Sequence, residues 1–281
     1  MSNIAKAFAS GKAFIPFITC GDPDLVTTEQ AVRAMTKAGA DLIELGIPFS
    51  DPTAEGPVIQ AANARALSAG TTTDKIFEMV RHLRQDLTTP LVFMTYANVV
   101  FSYGIDRFCA ACAEVGVDGL ILPDVPYEEK DEFELECRRH RLDLISMVAP
   151  TSEARITAIA RGAMGFLYVV SSLGVTGMRS AITTDIGSMI KKIRENTSLP
   201  CAVGFGISTP EQAWHMAALS DGAIVGSAIV RLMEQYGTEA APYVAEYVRT
   251  MKQAVNAHYL ALSITIRIHL SRRFQLCISR S

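Results

Sequence analysis

Two carboxylates stand close together in "ELGIPFSDPTAEGPVIQ", Glu44 to Gln60. Glu44 lies inside the apolar run "DLIELG", and Glu55 follows eleven residues later on a loop stiffened by Pro48, Pro52 and Pro57. In an extended segment Leu42, Glu44 and Gly46 share one face, and Ile43 and Leu45 share the other. If Ile43 and Leu45 face helices, Glu44 points into an apolar interior. Burial there disfavours its anion and raises its pKa. That suits a group that must both donate and accept a proton near neutral pH. A core glutamate held by a salt bridge is the competing reading. For Glu55 a solvated surface charge is the ordinary reading, but a stiffened loop can hold a carboxylate over a site.

Other reactive side chains lie near the ends of apolar runs. Asp124 closes "GLILPD". Tyr168, in "FLYVV", shares a face with Phe166 and Val170, and reads either as core or as a group pointing inward. Three glycine pairs follow the late runs: "GVTG" (Gly174 to Gly177), "GFG" (Gly204 to Gly206) and "GS" (Gly226, Ser227). The backbone N–H groups of such loops, with a helix N-terminus after "GS", suit a phosphate. Tight turns are the plainer alternative. No lysine ends an apolar run, which speaks against a Schiff-base mechanism. His82, His140, His215, His258 and His269 fall in helical segments or the tail, so no metal site is expected. Nothing signals nicotinamide or flavin binding.

The elements that must position these groups repeat. Eight apolar runs recur: "AFIPFITC", "DLIELG", "LVFMTY", "GLILPD", "LDLISMVAP", "GFLYVVSS", "CAVGFG" and "GAIVGS". They suit strands covered on both faces, and helical patterns lie between them, which implies a parallel sheet. "TTEQ" (Thr27 to Gln30) and "TPEQ" (Thr209 to Gln212) read as capping boxes. "KAGADLIELG", "EVGVDGLILPD", "ARGAMGFLYVV" and "LSDGAIVGS" share one pattern, a helix end, a glycine stop and a strand. The fold class is α/β, a (β/α)8 TIM barrel with extra helices. A doubly wound sheet is the alternative, but "CGDPDL" lacks its glycine fingerprint. In such a barrel chemistry belongs at the C-terminal ends of the strands.

With 281 residues, 49% of them hydrophobic, the chain can build one large domain. A formal charge of −3 argues against a generic nucleic-acid binder. No apolar run reaches the ~18 residues of a membrane span, and "MSNIAKAFASGK" has no apolar signal segment. A cytoplasmic location and no membrane association are expected. The scattered cysteines read as buried reduced thiols, and "CAAC" (Cys109, Cys112) reads as helix packing. Residues 1–257 form the barrel on this reading. Residues 258–281 are an atypical C-terminal appendage: Leu260, Leu262, Ile264, Ile266, Ile268 and Leu270 alternate with a strand period.

"PFITCGDPD", "ELGIPFSDPTAEGPVIQAANARAL", "MTYANVVFSYGID", "LPDVPYEE", "SSLGVTG", "GFGISTPEQ" and "VGSAIV" resemble the tryptophan synthase alpha subunit family, over roughly Ile4 to Ala257. The resemblance implies retro-aldol cleavage of indole-3-glycerol phosphate to indole and glyceraldehyde 3-phosphate. It implies that Glu44 is the principal acid/base group, that Glu55 holds the indole N–H, and that Tyr168 assists. It implies phosphate binding by Gly177, Phe205, Gly206, Gly226 and Ser227. Phe17, Tyr96, Ile121 and Asp124 would line the indole pocket or its floor, and Thr176 would lie on a lid loop. Asp51, Pro52, Asn98 and Phe101 would meet a beta subunit in an alpha2beta2 assembly. Pyridoxal phosphate would belong to that partner, with no cofactor in this chain. Glu55 stands where the family often has Asp. A stand-alone lyase, and a barrel that mainly activates a beta subunit, are the alternative functions.

Overall fold

The computed structural model describes residues 3–171 and 185–257. Its strands are β1 (Ala13–Thr19), β2 (Ile43–Gly46), β3 (Leu91–Met94), β4 (Gly119–Ile121), β5 (Asp143–Leu144), β6 (Ser146–Val148), β7 (Leu167–Val170), β8 (Cys201–Gly204) and β9 (Gly222–Val225). All pair in parallel, in the order β5-β4-β3-β2-β1-β9-β8-β7-β6. Only Ile145 separates β5 from β6. β5 pairs with β4 and β6 with β7, so the two are halves of one stave that joins the ends of the sheet. Nine strands, two of them sharing a stave, make a barrel of eight staves. Each of the eight apolar runs in the sequence supplies one of them.

The helices are α1 (Leu25–Ala38), α2 (Pro57–Ser68), α3 (Thr73–Leu83), α4 (Ala97–Tyr103), α5 (Ile105–Val115), α6 (Asp131–Arg139), α7 (Glu153–Arg161), α8 (Ile186–Arg194), α9 (Pro210–Leu219) and α10 (Ser227–Tyr236). A last helix, α11, covers 240–257. The strands are apolar on both faces because each face has its own core. Phe14, Ile18, Ile43, Leu45, Leu167, Val169, Cys201 and Val203 pack outward against the helices. Ile15, Leu42, Val92, Tyr168, Val170, Ala202 and Ile224 fill the interior. A 3-10 segment, Asn3–Phe8, closes the end where the strands begin. Its Ile4 and Ala7 join the inner core, and Phe8 meets Phe166 with ring centroids 5.7 Å apart.

Local signals hold unevenly. "TPEQ" is a capping box: Thr209 and Gln212 bond each other's backbone, with Pro210 in the first turn of α9. "TTEQ" is not one. α1 starts earlier, and its N-cap is Asp24, whose carboxylate accepts from the Thr27 N–H at 2.7 Å. Thr28 is buried instead, and its hydroxyl accepts from the Gly21 N–H. Asp outcompetes a threonine for the cap here because it stands one residue before the first helical turn. Gly39 and Gly116 end α1 and α5 in the left-handed conformation, as the repeated pattern requires. Gly222 instead opens β9, where an added Cβ would lie 2.7 Å from the Ala13 carbonyl oxygen. Cys109 and Cys112 are buried on α5, and the Cys109 Sγ lies 3.9 Å from the Cys137 Sγ on α6. The "CAAC" pair therefore packs one helix against another. No helix among the described residues is long and apolar enough to cross a membrane. The "GVTG" segment, Thr176, Gly177 and the alternating tail lie outside the described residues.

The corrected cap gives a stability prediction. Asp24→Ala should cost about 1 kcal/mol in a denaturation titration, whereas the exposed Gln30→Ala should be near neutral. Equal losses would return the cap to the "TTEQ" box.

Candidate active site

β2 places Glu44 in register with Phe17 on β1 and Val92 on β3. Ile43 and Leu45 pack into the outer core and Leu42 into the inner one, so the alternation turns Glu44 inward. It is 1% exposed. Neither carboxylate oxygen has a hydrogen-bond partner among the described residues, and no salt bridge reaches it there. Burial alone pushes its pKa well above the ordinary 4.5. Glu44 is therefore not a paired core charge among the described residues. Tyr168 points inward from β7, in the inner core with Phe166 and Val170 on the same face. Burial, and then the charge of Glu44, raise its phenol pKa.

Glycines make room for the rings around these groups. A Cβ at Gly204 would lie 2.5 Å from the Tyr168 Oη. A Cβ at Gly46 would lie 2.6 Å from the Phe17 Cζ, and one at Gly226 3.3 Å from the Phe17 Cδ1. Phe17 thus lies against two strand ends that have no side chains of their own.

Glu55 sits on the loop between β2 and α2, yet it is only 8% exposed. Its Oε2 accepts from the Asn63 Nδ2 at 2.6 Å, and its backbone carbonyl accepts from the Gln60 Nε2 at 2.7 Å. Both partners come from α2. Burial raises its pKa to about 7, against the opposing pull of the Asn63 hydrogen bond. Tyr96, the N-cap of α4, accepts from the Ala54 N–H at 3.0 Å and so ties down the same loop. Its ring meets Phe49 at 5.2 Å between centroids. Asn63 escaped the sequence reading. Its signal was available: a polar residue on the face of α2 that buries Ile59, Ala62 and Ala66.

Phe17, Glu44, Glu55, Tyr168, Phe205, Gly206, Gly226 and Ser227 line one cleft at the C-terminal ends of the strands. No cationic side chain lines it among the described residues. Ala54, Ile59, Met94, Pro123, Met147, Ile207 and Ile224 complete its largely apolar wall, and sequence reading had singled out none of them. The cleft is narrow, about 40 Å³. Ala54, Pro123, Met147 and Phe205 are a common wall with a neighbouring cavity of about 560 Å³. Three residues expected at the pocket or its floor do not line this cleft directly. Asp124 uses both carboxylate oxygens to accept from the Ala97 N–H at the start of α4, each at 3.1 Å. Ile121 is inner core, and Tyr96 stands behind Ala54.

The rim near Gly206, Gly226 and Ser227 is suited to an anion. The N-cap of α10 is Gly226, which offers no side-chain acceptor to the first amides. The capping box of α9 uses its own N-terminal amides, so the two helix starts differ. Phe205 holds a left-handed φ of 73°, rare for a side chain this size, and its carbonyl accepts from the Ser171 hydroxyl. Its ring meets Tyr168 edge-on at 6.1 Å.

The pattern of the tryptophan synthase alpha chain matches residues 4–258. The chain belongs to that family. It is 46% identical over 257 residues to the tryptophan synthase alpha chain of Lacticaseibacillus casei, covering 92% of this chain and 97% of that one. It is 49% identical to the one from Geotalea uraniireducens, covering 92% and 99%. Tryptophan synthase subunit alpha from Legionella pneumophila superposes with a TM-score of 0.83 at 37% identity, covering 91% of this chain and 99% of that one. A chain of Mycobacterium tuberculosis tryptophan synthase gives 0.82 at 32% identity, covering 90% and 98%. This alpha-chain barrel therefore carries two buried carboxylates of different surroundings in one cleft. Beside the cleft, Asp51 and Asn98 are exposed, Pro52 is partly so, and Phe101 is 47% exposed. Phe49 and Ala54 bring the loop of Asp51 and Pro52 against the start of α4, the helix that carries Asn98 and Phe101.

Glu44 makes stability depend on pH. Its folded-state pKa is raised above the unfolded 4.5. Its contribution is thus complete below about 4.5 and is lost as pH rises toward the folded value. Glu44→Gln has no such loss. Its stability relative to the unsubstituted chain should climb by up to about 1.4 kcal/mol per pH unit above that point. Denaturant titrations at several pH values measure it; a gap that stays constant with pH would contradict the raised pKa.

Proposed function

We propose that this chain is a cytoplasmic lyase of tryptophan biosynthesis that cleaves indole-3-glycerol phosphate to indole and glyceraldehyde 3-phosphate. The observation that carries the reading is the pair Glu44 and Glu55, buried in one apolar cleft that no cationic side chain lines among the described residues. Beyond the family likeness, the chemistry needs two carboxyl groups in opposite states. A protonated Glu44 donates its proton to indole C3, which makes the ring an indolenine cation. The resulting carboxylate takes the proton of the hydroxyl on the adjoining glycerol carbon. As that oxygen becomes an aldehyde, the C–C bond breaks and its electron pair returns to the ring. Glu44 ends as it began, protonated.

Glu55 serves in its ionised form. It accepts the indole N–H and stabilises the cation as charge develops. The raised pKa of Glu44 favours the acid form it starts in, and the Asn63 hydrogen bond favours the anion of Glu55. Tyr168 stands between Glu44 and Phe205 and orients the ring of the substrate. Gly206, Gly226 and Ser227, with the backbone at Phe205, receive the phosphate at the start of α10. Gly177 and Thr176 remain part of that reading by resemblance. The neighbouring cavity offers the volume that the narrow cleft itself does not.

A chain from the structure of the Pyrococcus furiosus tryptophan synthase complex superposes with a TM-score of 0.76 at 32% identity, covering 86% of this chain and 98% of that one. That likeness supports a beta-chain partner here, met through the rim of Asp51, Pro52, Asn98 and Phe101, in an alpha2beta2 assembly. Pyridoxal phosphate belongs to that partner, and the steps above use only side chains of this chain. Residues 258–281 form an appendage outside the barrel on the same reading.

Release of indole from indole-3-glycerol phosphate, with and without a beta chain, tests the proposal. Glu44→Gln should lower kcat about a thousandfold or more. Glu55→Ala should lower it about a hundredfold, and Glu55→Asp should stay within about tenfold because the charge remains. Near-normal turnover by Glu44→Gln would remove its role. Activity needs Glu55 ionised and Glu44 protonated, so kcat/KM should fall below pH about 7 and again at higher pH.

A further inference from the structure

We infer that Asn63 is a positioning residue for Glu55: its amide, fixed on α2, holds the loop carboxylate facing the cleft. Asn63 is 4% exposed, and a buried amide must spend its hydrogen bonds inside the protein. It does so on Glu55 Oε2, at 2.6 Å. An ionised carboxylate only accepts, so the amide has to present Nδ2 to it. This fixes Oε2 and leaves Oε1 as the oxygen for a donor on the substrate.

The helix behind Asn63 is itself anchored. Arg65, two residues on, forks onto Asp22 with Nε and Nη2 at 2.8 and 2.9 Å. Its Nη1 reaches Glu234 on α10 at 2.8 Å. Gln60 takes the Glu55 carbonyl from the same helix. Backbone and side chain of Glu55 are thus both tied to one rigid element, which holds a group more tightly than a loop can. Among the described residues, the groups that face Glu55 from other elements are Tyr96 from the start of α4, with Asp124 beyond it, and Glu44 and Tyr168 in the same cleft. None is cationic. Asn63 is the one hydrogen bond among the described residues that favours the ionised form of Glu55. The longer side chain of Glu55 matters here. An aspartate at this position would withdraw its oxygens by about 1.5 Å, one C–C bond, and lose this geometry.

The role rests on the proposed cleavage reaction, and the test separates the two. Carbon-13 NMR follows the Glu55 carboxyl titration in the full chain, with the signal assigned by its disappearance in Glu55→Gln. The same samples give the pH profile of kcat/KM. In Asn63→Ala, and in the similar-sized Asn63→Leu, the Glu55 titration should move up by about one pH unit. The acid limb of kcat/KM should move with it, leaving kcat/KM about tenfold lower near pH 6. In a Glu55→Asp background, Asn63→Ala should have little further effect. A Glu55 titration that stays in place overturns the inference, whatever the activity does. So does an activity loss of equal size at every pH, which marks a structural role only. If the unsubstituted chain releases no indole, with or without a beta chain, the cleavage reading falls, and the role of Asn63 falls with it. A moved titration would still establish the contact.

Discussion

A carboxylic acid enclosed in an apolar barrel, with no cation to meet it among the described residues, is the constraint on which the rest of this structure depends. Moving an ionised carboxylate into such an interior costs on the order of several kcal/mol, so burial pushes the pKa of Glu44 well above the ordinary 4.5. That state survives only while water is kept out. The β5/β6 stave closes the sheet, and the Asn3–Phe8 segment plugs the end where the strands begin. An open sheet of the same strands would leave an edge and a wetter face. The outer core, formed by the opposite face of every strand, offsets the cost of the buried acid.

The second carboxyl group has the opposite task, and its surroundings differ accordingly. Glu44 has no hydrogen bond among the described residues, whereas Glu55 has one, from an amide. Environments that push two acids apart let one begin protonated and the other ionised at the same pH. The division follows secondary structure. A strand delivers Glu44 into the interior by alternation alone. Glu55 arrives by loop, so it needs α2 and Tyr96 to hold it.

Backbone without side chains does comparable work at the other side of the cleft. Gly46 and Gly226 leave the space that Phe17 occupies, and Gly204 leaves the space for Tyr168. The starts of α9 and α10 lie after neighbouring strands but are spent differently. Thr209 and Gln212 satisfy the first, while Gly226 leaves the amides of the second without a side-chain cap. An anion is the complement of the second and not of the first.

Much of this was legible in the sequence. Strict alternation in "LIEL" put Glu44 opposite the helix-facing residues, and alternation is enforced by the pleat wherever both faces are covered. Eight apolar runs between helical segments specified the staves, and "TPEQ" specified a cap, because both are local in range. What failed or went unseen depended on distance. The cap of α1 went to Asp24, since the point where a helix begins is set by packing of Thr28 and Gly21 as well as by propensity. That Asp124 accepts from the Ala97 N–H at the start of α4 went unseen, because Ala97 is 27 residues away and adjacent only in the barrel. Glu55 is buried and not solvated because α2 and α4 close over its loop, which no stretch of loop sequence records. The chain alone determined which residues could do chemistry and which way a strand would aim them. Only the tertiary structure decided which stood in water and which did not, because desolvation belongs to the closed barrel and not to any segment of it.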